Sequence, residues 1–182
     1  MIVPTMTVQE IHDEVFHDLK ILNSKMQNSY NEFKDLVLAS SYYPFTRPYE
    51  FITKKNNLIC VEFTARKRSD WWKPILCIYG IYNRQDGKYA FSPTIDKNIL
   101  SIYPPHFFSR YRERIVKDDT MSNDQIIKHY FKHDWGFMGV KVGEKFKEIY
   151  HDFENDSDEA VSFVAATSLG YCFGEKQGKV NG

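Results

Sequence analysis

From Thr7 onward, apolar residues recur at Ile11, Val15, Leu19, Leu22, Met26, Tyr30, Phe33 and Val37, in steps of three and four. That spacing collects all of them on one stripe of an α-helix and leaves the opposite side polar. Thr7 and Glu10 stand in front of the stripe as a capping box, each side chain placed to satisfy a backbone N–H of the first turn. The pattern predicts one long amphipathic helix over about residues 7–39, or two joined near the polar stretch at 23–29, packed one-sidedly against a sheet.

The period then changes. Pro44 and Pro48 break the helix, and alternating, β-branched runs at 49–53 and 58–66 around the turn 54–57 predict a hairpin. Residues 73–83 are more continuously apolar and predict a central strand; the turn at 84–87 leads to a fourth strand at 88–94. Connections this short imply an antiparallel meander. Helical spacing returns at 104–116 and, after a connector, at 123–135 with Ser122 as N-cap. Residues 136–143 hold three glycines and read as strand or loop, and 144–153 fit helix and strand equally. Residues 159–176 read as a strand or a bent hairpin, and the polar tail frays. The order predicts an α+β fold: a long N-terminal amphipathic helix and central helices packed on a curved antiparallel sheet, as one domain over 1–182 with its α+β body at about 40–175.

Composition agrees with a single packed domain. Of 182 residues, 42% are hydrophobic and 26% charged, which argues against wholesale disorder, and the 16% aromatic share predicts a core and sheet faces built from large rings. No run of apolar residues is long enough to span a bilayer, and the first residues lack the basic and apolar regions of a secretion signal. Cys60, Cys77 and Cys172 are odd in number and each lies in an apolar segment, so reduced, buried thiols and a cytoplasmic location are expected. The zero net charge is unevenly spread. Residues 40–117 hold 14 basic against 6 acidic side chains, while 148–182 hold 2 against 7. The basic middle could meet an anionic partner, but charge alone favours a solvated face partly neutralised by the acidic segment.

The candidate chemistry centres on the stretch HFFSRYRERI at 106–115. On a helix, His106, Arg110 and Arg114 stand at i, i+4 and i+8, so one face presents an imidazole and two guanidiniums, with Phe107, Phe108, Tyr111 and Ile115 anchoring the neighbouring face. Guanidinium forks bind phosphate bidentately, and a histidine titrating near neutrality can exchange a proton with a ribose hydroxyl or a leaving oxygen. That set is sufficient for metal-free RNA cleavage. The stretch, with SNDQII after it, resembles the His-x3-Arg-x3-Arg helix and short second helix of barnase, colicin and RelE-like ribonuclease toxins, over about residues 95–175. The resemblance implies that SFVAATSLG supplies a final sheet strand bringing Thr167 towards the arginines. It departs from those families in the strands that precede the helix and in the neutral charge. A purely structural role stands beside it: Arg110 and Arg114 clamped by acids at 153–159 or by Asp118 and Asp119.

Two further groups stand out. Arg66, Lys67, Arg68 and Lys73 surround Trp71 and Trp72, the mixture that nucleic-acid surfaces use for phosphate contact and base stacking; tryptophans folded back on the core are the alternative. His129 and His133 lie one helical turn apart, with Asp134 and His151 as further conceivable ligands, but no HExxH or cysteine pair accompanies them, and a surface or semi-buried pair of imidazoles with no metal is expected. His12 and His17 are expected at the surface. No phosphate-cradling loop, nucleophile elbow or carboxylate dyad is present at a readable spacing, so no cofactor is implied. Three functions remain: a small endoribonuclease, a non-catalytic binder of RNA or another anion, and an interaction protein whose N-terminal helix meets a partner or a second copy.

Overall fold

The computed structural model describes residues 1–133, 161–167 and 170–178. The expected N-terminal helix is a single element, α1 (Val8–Ala39), and its capping box closes as read: Glu10 N donates to Thr7 Oγ1 at 3.3 Å and Thr7 N donates to Glu10 Oε2 at 2.7 Å. Ile11, Val15, Leu19, Leu22, Phe33 and Val37 of its stripe are buried, and Met26 and Tyr30 are partly so. His12 is half-buried on the ring of Phe16, whereas His17 is exposed.

Five strands follow: β1 (Phe45–Ile52), β2 (Leu58–Ala65), β3 (Ile75–Arg84), β4 (Gly87–Thr94) and β5 (Ile99–Tyr103). They pair antiparallel in the order β1-β2-β3-β4-β5, the expected meander with β3 at its centre. Two details differ from expectation. β1 starts at Phe45 and runs through Pro48, which an edge strand tolerates because one of its sides needs no ladder donor. β5 is an additional strand of only five residues, entered through Asn98 in the left-handed region at φ 52°. At Gly80 of β3 the Phe91 ring lies so close that a Cβ would sit 2.2 Å from its Cζ, so only glycine fits there.

Alternation divides β2 between two cores. Ile59, Val61, Phe63 and Ala65 meet the α1 stripe, while Cys60 faces a second cluster with Tyr79, Ala90 and Tyr103. Two further helices cover that second face: α2 (Pro105–Tyr111), which continues as a π-helical turn over Arg112–Val116, and α3 (Asn123–His133). Ser122 caps α3, its Oγ accepting from Gln125 N at 3.2 Å. The sheet therefore lies between α1 on one side and α2 and α3 on the other. The aromatic surplus fills both layers: Phe33 packs on Phe45 and Phe63, and Tyr79 stacks on Phe131 at 4.3 Å with 9° between planes. Cys60 and Cys77 are free thiols, and burial pushes that of Cys60 up to about 11.

A polar knot ties the start of α1 to the β1–β2 turn. Asn57 Nδ2 donates to Glu14 Oε1 and to Asp18 Oδ2, both at 2.8 Å, while its Oδ1 accepts from Ile2 N at 2.7 Å. Burial alone would raise the Glu14 pKa, but hydrogen bonds from Asn57, the Met1 amine and Lys55 outweigh it and bring the carboxyl down to about 2. A depressed carboxylate pKa stabilises the fold above the ordinary value of 4.5 and loses that contribution as pH falls towards 2. Unfolding free energy should therefore drop across that interval, and the drop should be shallower in Glu14→Gln when both proteins are unfolded in urea at a series of pH values.

The C-terminal residues form a hairpin, β6 (Val161–Thr167) and β7 (Gly170–Lys176), which pair with each other and not with the five-stranded sheet. The ambiguous segments at 136–143 and 144–153 and the acids at 153–159 lie outside the described residues. Among the described residues no helix is long and apolar enough to cross a membrane.

Candidate functional site

Phe108 and Tyr111 anchor α2 in the core as expected, but Ile115 does not: it is 42% exposed. The π-helical turn is the reason. Lys117 N donates to Arg112 O five residues back at 2.7 Å, and Arg112 N is shared between Phe108 O and Ser109 O. The turn interrupts the α-helical spacing on which the expected row of His106, Arg110 and Arg114 depends.

His106, Arg110 and Arg114 are all exposed. Arg110 Nη1 pairs with Glu113 Oε2 at 3.0 Å, a pair with both side chains 64% exposed and hence weakly held. His106 and Arg114 make no hydrogen bond or ion pair among the described residues. Arg112 is held internally, its Nη2 donating to Met121 O and Asn123 Oδ1, both at 2.9 Å, while the acids at 153–159 expected to clamp Arg110 and Arg114 lie outside the described residues. Asp118 turns to Thr120, accepting from its hydroxyl at 2.6 Å and its N–H at 2.8 Å, and those bonds hold its carboxyl below the usual range. Thr167 pairs with Gly170 at the closed end of the β6–β7 hairpin. β6 adds no strand to the sheet beneath α2, and the Thr167 side chain lies outside the described residues.

The basic-aromatic stretch takes a different form. A short 3-10 turn, Arg68–Trp72, joins β2 to β3, and Asp70 Oδ2 closes it by accepting from Arg66 N at 3.0 Å. The turn separates the two tryptophans. Trp71 folds onto the α1 core, where Lys34 Nζ sits 4.6 Å from its ring centroid. Trp72 projects outward, 64% exposed, and Arg66, Lys67, Arg68 and Lys73 around it are exposed too. Asp70, half-buried, is the one acid in 66–73.

This patch and the His106 face are not brought together. β5 ends at Tyr103 beside Ala90, next to the Leu58 end of β2, whereas the 3-10 turn follows Ala65 at the opposite end. Trp71 packs on the α1 side of the sheet, and α2 on the other.

α3 runs diagonally across the second face, from Asp124, paired with Lys88 at 2.6 Å, past Lys128, paired with Glu50 at 2.6 Å. Its last turn borders a groove of about 490 Å³ lined by Tyr42, Pro44, Phe45, Thr46, Lys132 and His133. Burial raises the pKa of Glu62 on β2, against the lowering influence of Lys132 and His133. The His129 and His133 rings stack at 4.2 Å with 24° between planes. His129 Nδ1 is 2.9 Å from Tyr111 Oη, and His133 Nδ1 is 2.8 Å from His129 O. Burial, with His133 and Lys132 alongside, lowers the His129 pKa. Among the described residues no group of three or more potential metal ligands occurs; Asp134 and His151 lie outside them.

Sequence reasoning missed the buried Glu62 and the Tyr111–His129 bond. Glu62 carried one signal, a charge on the inward phase of an otherwise apolar strand; the tyrosine, on another helix, carried none. Comparison with protein-family models, curated proteins and solved structures gave no match to this chain.

Proposed function

We propose that the protein is a non-catalytic nucleic-acid-binding module, cytoplasmic in location, which holds single-stranded RNA on the β2–β3 connection. The observation that carries this reading is the exposed Trp72 ring set among Arg66, Lys67, Arg68 and Lys73, with Asp70, the one acid in 66–73, bonded to the backbone. A fixed aromatic platform takes a base of any identity, and the surrounding cations meet the phosphates on either side. Trp71, packed on α1 beneath Lys34, anchors the platform to the core. The free thiols fit a reducing compartment.

Ribonuclease action through His106, Arg110 and Arg114 has less support. Those side chains stand exposed, Arg110 is paired with Glu113, and the groove that α3 borders is lined by other residues. Partner binding through the α1 stripe has less still, because the stripe lies against the sheet.

Anisotropy of a labelled single-stranded oligonucleotide tests the proposal. Affinity should fall with salt in proportion to the phosphates contacted, and Trp72→Ala should weaken it by about 1–3 kcal/mol, the usual worth of one stacked base. Arg68→Glu should flatten the salt dependence. Absence of salt-sensitive binding by the wild type, or a Trp72→Ala variant that binds equally well, removes the reading.

A further inference from the structure

We propose that His129 and His133 form a two-imidazole chelate for a divalent late transition-metal ion of the zinc class at the C-terminal end of α3, with Tyr111 as the residue that orients His129. The two rings sit one helical turn apart and already face each other at 4.2 Å. Each has its Nδ1 engaged within the protein. A carbonyl oxygen can only accept, so the contact between His133 Nδ1 and His129 O puts a proton on Nδ1 and leaves the Nε2 lone pair of the neutral ring free. The bond between His129 Nδ1 and Tyr111 Oη fixes the second ring, and His129 Nε2 has no partner among the described residues. Metal-bound histidines commonly carry such a bond on the nitrogen away from the metal, where it sets ring orientation and tautomer.

Imidazole suits zinc, copper and nickel over calcium or magnesium, and with two protein ligands water completes the coordination. His133 is exposed, so its ring can give up the bond to His129 O and turn out of the stack to bring both Nε2 atoms onto one ion without unpacking the core. The surrounding charges are mixed: Lys132 beside the pair opposes a cation, and the buried Glu62 beneath the end of α3 favours one.

Zinc chloride titrated calorimetrically into the full chain without an affinity tag tests the site. One ion per chain is expected. His133→Gln, an exposed position that leaves the fold intact, should weaken binding at least about tenfold, and Tyr111→Phe, which removes only the orienting hydroxyl, by about tenfold. His17→Gln, on α1, should leave the titration unchanged. Affinity should also fall as pH is lowered from about 7.5 to about 5.5 and protons compete for both rings. Failure of the wild type to bind zinc, or undiminished one-to-one binding by His133→Gln, overturns the proposal; a Tyr111→Phe variant that binds like the wild type overturns the orienting role. Neither result bears on the Trp72 surface, which shares no residue with this pair.

Discussion

Phe33→Ala should destabilise the protein by about 3–5 kcal/mol, the cost of removing a fully buried ring from a site that cannot collapse around the loss. Phe33 is completely inaccessible, and its ring touches those of Phe45 at 5.8 Å and Phe63 at 5.3 Å between centroids. Those partners come from β1 and β2, so the space is walled by a hydrogen-bonded ladder that cannot move inward without breaking register. Urea unfolding should show a lower midpoint with an unchanged slope, since the native fold and the surface exposed on unfolding stay the same. A loss below about 1 kcal/mol would mean that α1 is not seated on this face as described.

Asn57→Ala should cost about as much by a different route. Asn57 supplies the hydrogen bond to Oδ2 of Asp18, a side chain only 2% exposed whose Oδ1 has no partner among the described residues. Removing the amide strands a buried carboxylate and frees the Ile2 N–H as well; an uncompensated buried charge typically costs about 3–5 kcal/mol. The double variant Asn57→Ala/Asp18→Asn discriminates this from simple loss of packing. If the orphaned charge is the cause, replacing Asp18 should recover part of the loss; if the two losses merely add, it is not.

Much of the fold is legible in the sequence because it is written in periods. Steps of three and four from Ile11 to Val37 give α1, and alternation gives β2 its two faces. β5 escapes because five residues hold too few alternations to stand out beside a helix start at Pro105. The π-helical turn escapes for a deeper reason. A π-helical turn is a rare, single-turn interruption that no residue pattern here marks, and Arg112 bonded to Met121 and Asn123 accompanies the widened turn. The expected His106-Arg110-Arg114 row assumes an unbroken 3.6 period, which that one turn interrupts. In the 66–73 stretch the residue types were legible, but the split between an inward Trp71 and an outward Trp72 depends on where Asp70 closes the backbone. The His129–His133 spacing was legible too, while Tyr111, which fixes one ring, comes from a helix whose docking no spacing encodes.

The meander has a consequence for biosynthesis. α1 is made before the five strands of the sheet, and its apolar stripe must wait for the sheet residues that cover it, the last of which, Ile102, follows Ala39 by about sixty residues, or roughly 3–13 s at ordinary translation rates. During that interval an amphipathic helix with no packing partner stands at the ribosome exit. Because every strand pairs with its immediate neighbour in sequence, cover is added one hairpin at a time, and the bare stripe shortens in steps as each strand emerges.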